Sequence, residues 1–394
     1  MIPVLASLAA ALSGVGMTIC VVAARSVAAH FRRPKREPRN RPGITVLKPL
    51  HGDEPLLAEA LETVFIQDYP EWQIVFGVQS ANDPAIAVVR SLHERYPDRD
   101  VVLVVDDTQY GRNRKVGNLI NMLPHARHNV LVIADSDVHV LPDYLKRLVA
   151  ALEIPGVGLV TTLYAGLPPA SGVIPSLGKM QITHGFLPSA VLSRSVGRRD
   201  CLGATMCLRR RDLVRIGGLE ALVDHLADDN VLGRLILAQG RDVVLADTVV
   251  LTTVPETTLG ALFRHELRWA RTIRALEAVG FAASLLQYPL AWALFAVVLS
   301  GGAFWSLGLL IVAWVVRGVA AHTVDSALSS AWTGKHAGAL RCPIWLLPVR
   351  EVLSAGVVFA SYASRRVDWR GHALHADTPI LPATTYPIKE VTSQ

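Results

Sequence analysis

Apolar and polar positions alternate along residues 42–260 in two repeating patterns. Short runs rich in β-branched residues are typical of buried strands, and the stretches between them carry apolar side chains at helical spacing. The predicted strands are residues 44–48, 73–78, 101–105, 130–134 and 157–164, and the predicted helices are residues 56–66, 85–95, 118–122 and 231–238. This alternation predicts an α/β domain with a largely parallel sheet.

The chain begins with a long apolar segment. Residues 2–24 contain no charged residue, and their 23 positions are enough to cross a bilayer. A cleaved signal peptide is the alternative, but the uncharged start and the basic cluster that follows favour an uncleaved anchor. Because that cluster, at residues 32–41, should stay on the cytoplasmic side, the α/β domain is expected to be cytoplasmic.

Apolar segments return in the C-terminal third of the chain. Residues 281–299 and 304–316 predict a transmembrane hairpin, and residues 344–362 are a third candidate that carries Arg350 and Glu351. Three crossings after a cytoplasmic domain would place the basic C-terminal tail outside. Either one segment is interfacial or re-entrant, or the positive-inside rule fails here.

These patterns divide the chain into five parts. They are an N-terminal transmembrane anchor (1–30), the α/β domain (42–260), an interfacial helix (261–278), C-terminal membrane segments (279–365) and a cytoplasmic or interfacial tail (366–394). We therefore expect a multi-pass protein of the cell (inner) membrane.

Composition agrees with a membrane protein, and the distribution of charge indicates which classes of partner the chain can bind. Hydrophobic residues make up 51% of the 394 positions, which is high for a soluble protein. The net charge of +6 is concentrated in the basic cluster after the anchor, which suits anionic lipid headgroups better than nucleic acid. No recognition motif accompanies it, so no nucleic-acid partner is expected. The four cysteines lack the spacing of a metal site.

Asp135 and Asp137 follow the predicted strand 130–134 directly, separated by Ser136. A buried strand delivers its carboxyl end to the crevice where open α/β sheets bind ligands. Two carboxylates at this spacing repel each other, and a divalent cation carrying substrate phosphates would remove that cost. A solvated Asp-Ser-Asp turn is the alternative and, for the motif alone, the more common one.

Three further polar features lie at strand ends or helix starts. Asp83 follows the strand 73–78, where an N-cap of the next helix is the alternative role. Asp228 and Asp229 precede the helix 231–238, so one of them can cap it and leave the other for chemistry. The last feature is the basic helical segment around His265-Glu-Leu-Arg-Trp269, which suits phosphate or the membrane surface.

Seven blocks of the sequence, taken in order, resemble the ceramide glucosyltransferase family of membrane glycosyltransferases, with its D, D, D, (Q/R)-x-x-R-W pattern. The blocks are Leu47-Lys-Pro-Leu50, Asp68-Tyr-Pro70, Val78-Gln79 with Asn82-Asp-Pro-Ala85, Asp135-Ser136, Gly156-Val-Gly-Leu-Val160, Gly217-Gly218 and Arg268-Trp269. Asp137, Asn113-Arg-Lys115 and His265 look most like the bacterial branch associated with hopanoid biosynthesis. The resemblance implies a GT-A-like nucleotide-sugar-binding domain.

The resemblance also implies a role for each feature. Asp83 would contact the uracil or ribose of a UDP-sugar, and Asp135 and Asp137 would hold Mg²⁺ or Mn²⁺ on its diphosphate. Asp229 would be the catalytic base, with Asp228 as its competitor. The remaining expected substrate-binding residues are Arg268, Trp269, His265, which replaces the usual Gln or Arg, and His184, near the acceptor.

Further expectations concern Lys115, the segment 203–206, Trp369 and Arg370. Lys115 would reach phosphate unless it is a solvated loop lysine, and Gly203-Ala-Thr-Met206 would form a backbone wall beside the acceptor. Trp369 and Arg370 would close over the site or anchor the tail at the membrane.

The expected function is transfer of a sugar from a UDP-sugar to a lipid hydroxyl with inversion, at the surface of the bilayer. The favoured pair is N-acetylglucosamine and a hopanoid polyol such as bacteriohopanetetrol, with ceramide glucosylation from UDP-glucose as the alternative. A non-catalytic nucleotide-binding or transport protein is disfavoured because transport requires more spans with polar groups inside them. Polysaccharide synthesis would need a translocation channel, for which there are too few helices.

Overall fold

The computed structural model describes residues 2–364, 366–369 and 372–375. Its centre is a sheet of eight strands in the order β3-β2-β1-β4-β7-β6-β8-β5. The strands are β1 (Ile44–Pro49), β2 (Trp72–Val78), β3 (Asp100–Val105), β4 (Val130–Ala134), β5 (Val138–His139), β6 (Val157–Leu167), β7 (Thr205–Arg209) and β8 (Asp242–Thr253). A separate antiparallel hairpin consists of β9 (Arg366–Trp369) and β10 (His372–His375).

Fourteen α-helices are present in the described part of the chain. They are α1 (Ile2–Phe31), α2 (Leu57–Phe65), α3 (Ala85–Arg95), α4 (Arg114–Met122), α5 (Tyr144–Leu152), α6 (Val173–Met180), α7 (Leu187–Ser195), α8 (Arg210–Arg215), α9 (Asp228–Ala238), α10 (Leu259–Leu276), α11 (Ala278–Ala283), α12 (Pro289–Leu299), α13 (Phe304–Ala331) and α14 (Leu347–Ser361). A π-helical turn, Gln181–Phe186, joins α6 to α7.

The sheet is mixed, so the expectation of a largely parallel sheet is correct only for its first half. Strands β1 to β4 pair in parallel, whereas β7 is antiparallel to both β4 and β6. β8 is parallel to β6, and the short β5 pairs antiparallel with β8. β7 was not predicted from the sequence. Its pairing partners are distant in the chain, and its place in the sheet is set by tertiary packing.

Both faces of the sheet are covered by helices. In β1, Val46 packs into the core beneath α2, α3 and α5, and the next residue, Leu47, packs into the core beneath α4 and α9. Successive side chains of a strand point to opposite faces, so a strand covered on both sides needs an unbroken apolar run. This explains why the pattern around residues 44–48 and 130–134 reads as buried strand.

Three helices, α1, α13 and the segment Ala337–Ser361, are long and apolar enough to cross a membrane, and a bent pair makes up to four. The predicted span over 281–299 corresponds to two helical segments, Ala278–Gln287 and Pro289–Leu299, which bend by 68° where they meet, so it forms either a broken span or a re-entrant loop. The predicted end at residue 316 is wrong, since α13 continues through Arg317 to Ala331. Arg317 Nε donates to Glu351 Oε1 at 2.8 Å, so its charge is compensated inside the bundle.

Helix α14 lies lengthwise against α10. Near its start, Leu347 shares an apolar cluster with Leu262 of α10. Near its end, Val357 packs in a cluster with Ala270, and the guanidinium of Arg274 lies 4.9 Å from the ring centroid of Tyr362, just beyond α14. The two helices therefore run in the same direction over most of their length.

Candidate functional site

The Asp135-Ser136-Asp137 segment is a turn between β4 and β5, at the carboxyl end of a central strand. Asp137 Oδ2 accepts a hydrogen bond from Thr252 Oγ1 of β8 at 2.5 Å. Burial, followed by the neighbouring Asp135 carboxylate, raises the pKa of Asp137 to about 7. Ionising both carboxylates of this turn is therefore costly unless a cation binds near them.

Lys115, in the first turn of α4, lies between two of the acidic segments. Its Nζ is 2.7 Å from Asp135 Oδ1 and 3.5 Å from Asp228 Oδ2. Burial alone would lower the pKa of Lys115, but the charges of Asp135 and Asp228 outweigh burial and raise that pKa above its usual value. The lysine therefore stays charged and compensates acids that come from β4 and α9.

Asn113 fixes this arrangement, and the sequence had not identified it as a separate position of interest. Its side chain caps α4 by accepting from the Val116 N–H at 3.2 Å, and its Nδ2 donates to the carbonyl of His225 at 2.8 Å. The loop that precedes α9 is thereby tied to the start of α4. The available signal was an asparagine in a polar loop just before a helix, which favours an N-cap.

Asp229, in the first turn of α9, lies beside Asp228 and accepts from the Asn230 N–H at 2.7 Å. Burial, followed by the charge of Asp228, raises the pKa of Asp229 to about 7. Gly203 makes room for it, since a Cβ on this glycine would lie 2.9 Å from Asp229 Oδ2. A partly buried carboxylate with such a pKa is suited to accept a proton near neutral pH.

An aromatic pair lies beside the acids. Tyr164 of β6 stacks on Phe186 of the π-helical turn, with ring centroids 4.7 Å apart. Burial, and then the charges of Asp229, Asp135 and Asp137, raise the pKa of the Tyr164 hydroxyl. The tyrosine therefore stays neutral and gives this side of the site an apolar wall.

Asp83 is 9% exposed and bound to backbone on two sides. It accepts from the Gly52 N–H at 3.1 Å and from the Ala85 N–H, at the start of α3, at 2.9 Å. It connects the loop after β1 to the first turn of α3. Asp83 thus holds the start of α3, whose N-cap position is Pro84, and its nucleotide contact stays a prediction.

The His265-Glu-Leu-Arg-Trp269 segment is part of α10, which begins shortly after the strand that contacts Asp137. The rings of His265 and Trp269 meet edge to face with centroids 4.7 Å apart, and His265 Nδ1 forms a close hydrogen bond with Glu256. Arg268 lies on the same helix, and its carbonyl accepts from Thr272 Oγ1 at 3.0 Å. Their contact with substrate remains a prediction.

His184 lies in the π-helical turn, where it meets the membrane helices. Its Nε2 is 2.7 Å from Asp325 Oδ1 of α13, and its carbonyl accepts from Arg317 Nη2 at 2.7 Å. Burial lowers the pKa of His184. With Cys20 and Ser189 it lines a cleft between α1, α7 and α13. His184 therefore lies where the α/β domain meets the membrane helices, and its acceptor role stays a prediction.

The oxygen donors around the turn fit a divalent metal that a ligand helps to hold. No group of three or more His, Cys, Asp or Glu that could hold a metal alone is found among the described residues. Mg²⁺ and Mn²⁺ bound with nucleotides commonly use one or two carboxylates plus phosphate oxygens, and Asp135 and Asp137 supply two. Lys115 already places a positive charge against Asp135, where a cation is favoured.

Two expected positions, Trp369 and Arg370, lie at the limit of the part of the chain that the structure describes. Trp369 is the last residue of β9, but its side chain is outside the described residues, and so is Arg370. Gly203-Ala-Thr-Met206 runs into β7, with Gly203 against Asp229 as described above.

Comparison with known proteins identifies the relatives of this chain. The model of glycosyl transferase family 21 matches residues 7–379. Ceramide glucosyltransferase 1 of Caenorhabditis elegans is 24% identical over 241 residues, which are 58% of this chain and 49% of that protein. The ceramide glucosyltransferase of Komagataella phaffii is 36% identical over 115 residues, 28% of this chain and 23% of that protein. The chain thus spans half or less of the length of these relatives.

Two other matches cover more of the chain. An N-acetylglucosaminyltransferase of Rhizobium meliloti is 24% identical over 369 residues, 90% of this chain and 79% of that protein. The mannosyltransferase of Pyrobaculum calidifontis, solved in complex with GDP-Man and Mn²⁺, superposes with a TM-score of 0.54 at 19% identity, covering 91% of this chain and 99% of that one. The structural likeness confirms the expected GT-A-like fold.

Proposed function

Because the chain belongs to glycosyl transferase family 21, we propose that it transfers a sugar from a UDP-sugar to a hydroxyl of a membrane lipid, with inversion at the anomeric carbon. The observation that carries this proposal is the convergence of Asp135, Asp228 and Asp229 on Lys115, next to Asp137. The group contains a charge-compensated site for a diphosphate and, beside it, a carboxylate of raised pKa.

In this proposal Asp229 accepts the proton of the lipid hydroxyl as its oxygen attacks the anomeric carbon. Asp228 is held by Lys115, which is why Asp229 is the better candidate for the base. A single displacement needs no second carboxylate as nucleophile and converts an α-linked donor into a β-linked product. A Mg²⁺ or Mn²⁺ ion bound by Asp135 and Asp137 would neutralise charge on the departing diphosphate.

The remaining residues complete the two substrate sites. Lys115 would turn to the diphosphate, as a mobile amine can exchange one anionic partner for another. Arg268 and Trp269, with His265, would bind the diphosphate and shape the acceptor side, and Asp83 would meet the uracil or ribose. Tyr164 with Phe186 would exclude water from the reacting hydroxyl.

For the acceptor we propose a hopanoid polyol such as bacteriohopanetetrol, with N-acetylglucosamine as the sugar. The match to an N-acetylglucosaminyltransferase over most of the chain supports the sugar. Ceramide glucosylation from UDP-glucose is the second candidate, supported by the ceramide glucosyltransferases among the relatives. In both cases the lipid would approach from the side of the membrane helices, where His184 lines a cleft with Cys20 and Ala24 of α1.

We propose an inner-membrane location with the catalytic domain and the tail both cytoplasmic. α13 ends against the sheet, where Leu328 and Trp332 share a cluster with Leu163 and Leu251, so its far end points away from the domain. α14 contacts α10 near both of its ends, which supports an interfacial helix rather than a further crossing. This arrangement keeps the basic tail on the side that the positive-inside rule favours.

Two measurements test the proposal. Membranes that contain the protein should release UDP from a UDP-sugar only when Mg²⁺ or Mn²⁺ is present, whereas a nucleotide-binding transport protein would show no turnover. Mass spectrometry of lipids from cells with and without the gene should reveal a missing N-acetylglucosaminyl hopanoid. A missing glucosylceramide would instead support the second candidate.

A further inference from the structure

Lys48 is a lysine inside an apolar face of the sheet. In β1 it lies on the same side as Ile44 and Val46, two residues of the main core cluster, and its side chain is 0% exposed. A buried ammonium is costly unless hydrogen bonds replace the water that it loses. The compensation for Lys48 must therefore be found in its surroundings.

The Lys48 ammonium is bound by the backbone of the Asp135-Ser136-Asp137 turn. Its Nζ donates to the carbonyls of Asp135 at 2.8 Å, Val138 at 3.3 Å and Ser136 at 3.5 Å. A lysine ammonium has three donors, and here each has a carbonyl from one turn. Lys48 thus forms hydrogen bonds with residues at both ends of the turn.

The positive charge of Lys48 also lies near the carboxylates around the turn. The carboxylates of Asp137, Asp135 and Glu54 all interact electrostatically with this ammonium. Glu54 in turn accepts a hydrogen bond from the Ser136 hydroxyl. A fixed positive charge beneath two adjacent carboxylates reduces their repulsion in the absence of any ligand.

We propose that Lys48 is a positioning residue that sets the backbone of the Asp135-Ser136-Asp137 turn, and holds its two carboxylates in place for a divalent metal. This inference rests on the proposed function, because it assumes that these carboxylates bind the metal. Residues behind metal ligands orient them, and their loss typically lowers metal affinity about 10- to 100-fold.

The alternative is that any buried lysine is simply needed for folding. Lys179 is a matched control for that possibility. It is also buried, and it donates to two backbone carbonyls, of Ala339 at 2.8 Å and Arg341 at 2.6 Å, in a loop that lies outside the site. Lys48→Met and Lys179→Met remove the same group from comparable surroundings.

The experiment measures Mn²⁺ binding to the full-length protein in nanodiscs by electron paramagnetic resonance, with saturating UDP and no acceptor. Lys48→Met should weaken Mn²⁺ binding about 10- to 100-fold, Lys48→Gln should weaken it less because its amide can still donate hydrogen bonds, and Lys179→Met should bind as the wild type does. Asp135→Asn with Asp137→Asn should abolish specific binding.

Each other outcome has a defined meaning. Wild-type Mn²⁺ affinity in folded Lys48→Met overturns the positioning role while leaving the metal site intact. Unaltered binding in the double Asp variant overturns the proposed metal site itself. If both Lys48 variants fail to fold while Lys179→Met folds, Lys48 is a requirement of the fold and the inference is also overturned.

Discussion

Arg350 of α14 and Glu266 of α10 form a buried, two-pronged ion pair, with Arg350 Nη1 and Nη2 each 2.7 Å from a carboxylate oxygen of Glu266. Glu266 is the second residue of the His265-Glu-Leu-Arg-Trp269 segment. The helix that carries the expected substrate residues is therefore positioned by a partner 84 residues further along the chain. Arg350 also donates to the carbonyl of Leu177, which extends the connection to α6.

Breaking this pair should destabilise the protein and lower its activity. Arg350→Met leaves Glu266 buried without its partner, a loss of about 3–5 kcal/mol in typical buried pairs, whereas the double variant with Glu266→Gln should recover much of that stability. The measurement is a double-mutant cycle on the unfolding temperature in nanodiscs. Removing the exposed Arg95–Glu62 pair should cost only about 0–1 kcal/mol. An equal effect at both pairs would contradict the positioning role of Glu266.

The rate should depend on pH through Asp229. Its pKa is raised to about 7, and it must be unprotonated to act as a base, so kcat/KM for the lipid should rise about tenfold per pH unit below pH 7 and level off above it. His265→Gln provides the control, because the midpoint should stay in place when the His265 imidazole is removed. A profile that is flat across the same range, or a midpoint that moves with His265, would exclude Asp229 as the titrating group.

The raised pKa of Asp229 makes stability change with pH in the opposite direction to the rate, so that stability falls as pH rises. An acid whose folded pKa lies above its unfolded value contributes stability below the unfolded pKa, and that contribution is lost as pH rises towards 7. Without metal, Asp229→Asn should therefore unfold at a temperature a few degrees above the wild type at pH 8, with a smaller difference at pH 5. Thermal unfolding at the two pH values checks this, and a lower unfolding temperature at pH 8 would mean that the ionised carboxylate is stabilised.

Lys115→Met should weaken donor binding. The substitution removes the charge that compensates Asp135 and Asp228, so the KM for the UDP-sugar should rise about 10- to 100-fold, as expected for a charged hydrogen bond. Lys146→Met is the control, since that lysine pairs at 2.6 Å with Glu37, which precedes the α/β domain. Similar KM values in the two variants would place the donor phosphates away from Lys115.

A methyl group at Gly203 should disturb the base without unfolding the protein. Its Cβ would lie 2.9 Å from Asp229 Oδ2, so Gly203→Ala should shift the carboxylate and lower kcat about 10- to 100-fold. Gly117→Ala is the control, because its Cβ would meet its nearest neighbours at an ordinary 3.8 Å. Wild-type kcat in folded Gly203→Ala would contradict the position assigned to the base.

Local pattern was sufficient for much of the fold and for part of the site. The helix predicted at residues 85–95 has those bounds in the structure, and the strand before Asp135 was visible as an apolar run ending in acids. Lys48 was not predicted to matter, because a lysine next to Leu47 at the end of a short strand reads as an exposed strand end. Only the tertiary structure shows that its ammonium meets three carbonyls more than eighty residues away.

The membrane part was harder to predict for a related reason. Arg350 and Glu351 left it open from the sequence whether residues 344–362 cross the membrane, and in the structure each is paired with a charge on another helix, Glu266 or Arg317. Hydropathy cannot include such compensation, since the partners are distant in sequence. Likewise, Arg317 was expected near the end of a span, but its charge is paired with Glu351 and α13 continues past it to Ala331.

The most direct test of the account is the transfer rate of Asp229→Asn, purified in nanodiscs with lipid acceptor, UDP-sugar and Mn²⁺, beside wild type and Asp228→Asn. Loss of the base should lower the rate about 10²- to 10⁴-fold while UDP binding stays within a few-fold of wild type, and Asp228→Asn should lose less. Transfer by Asp229→Asn at a rate near that of the wild type would show that Asp229 does not accept the proton of the lipid hydroxyl.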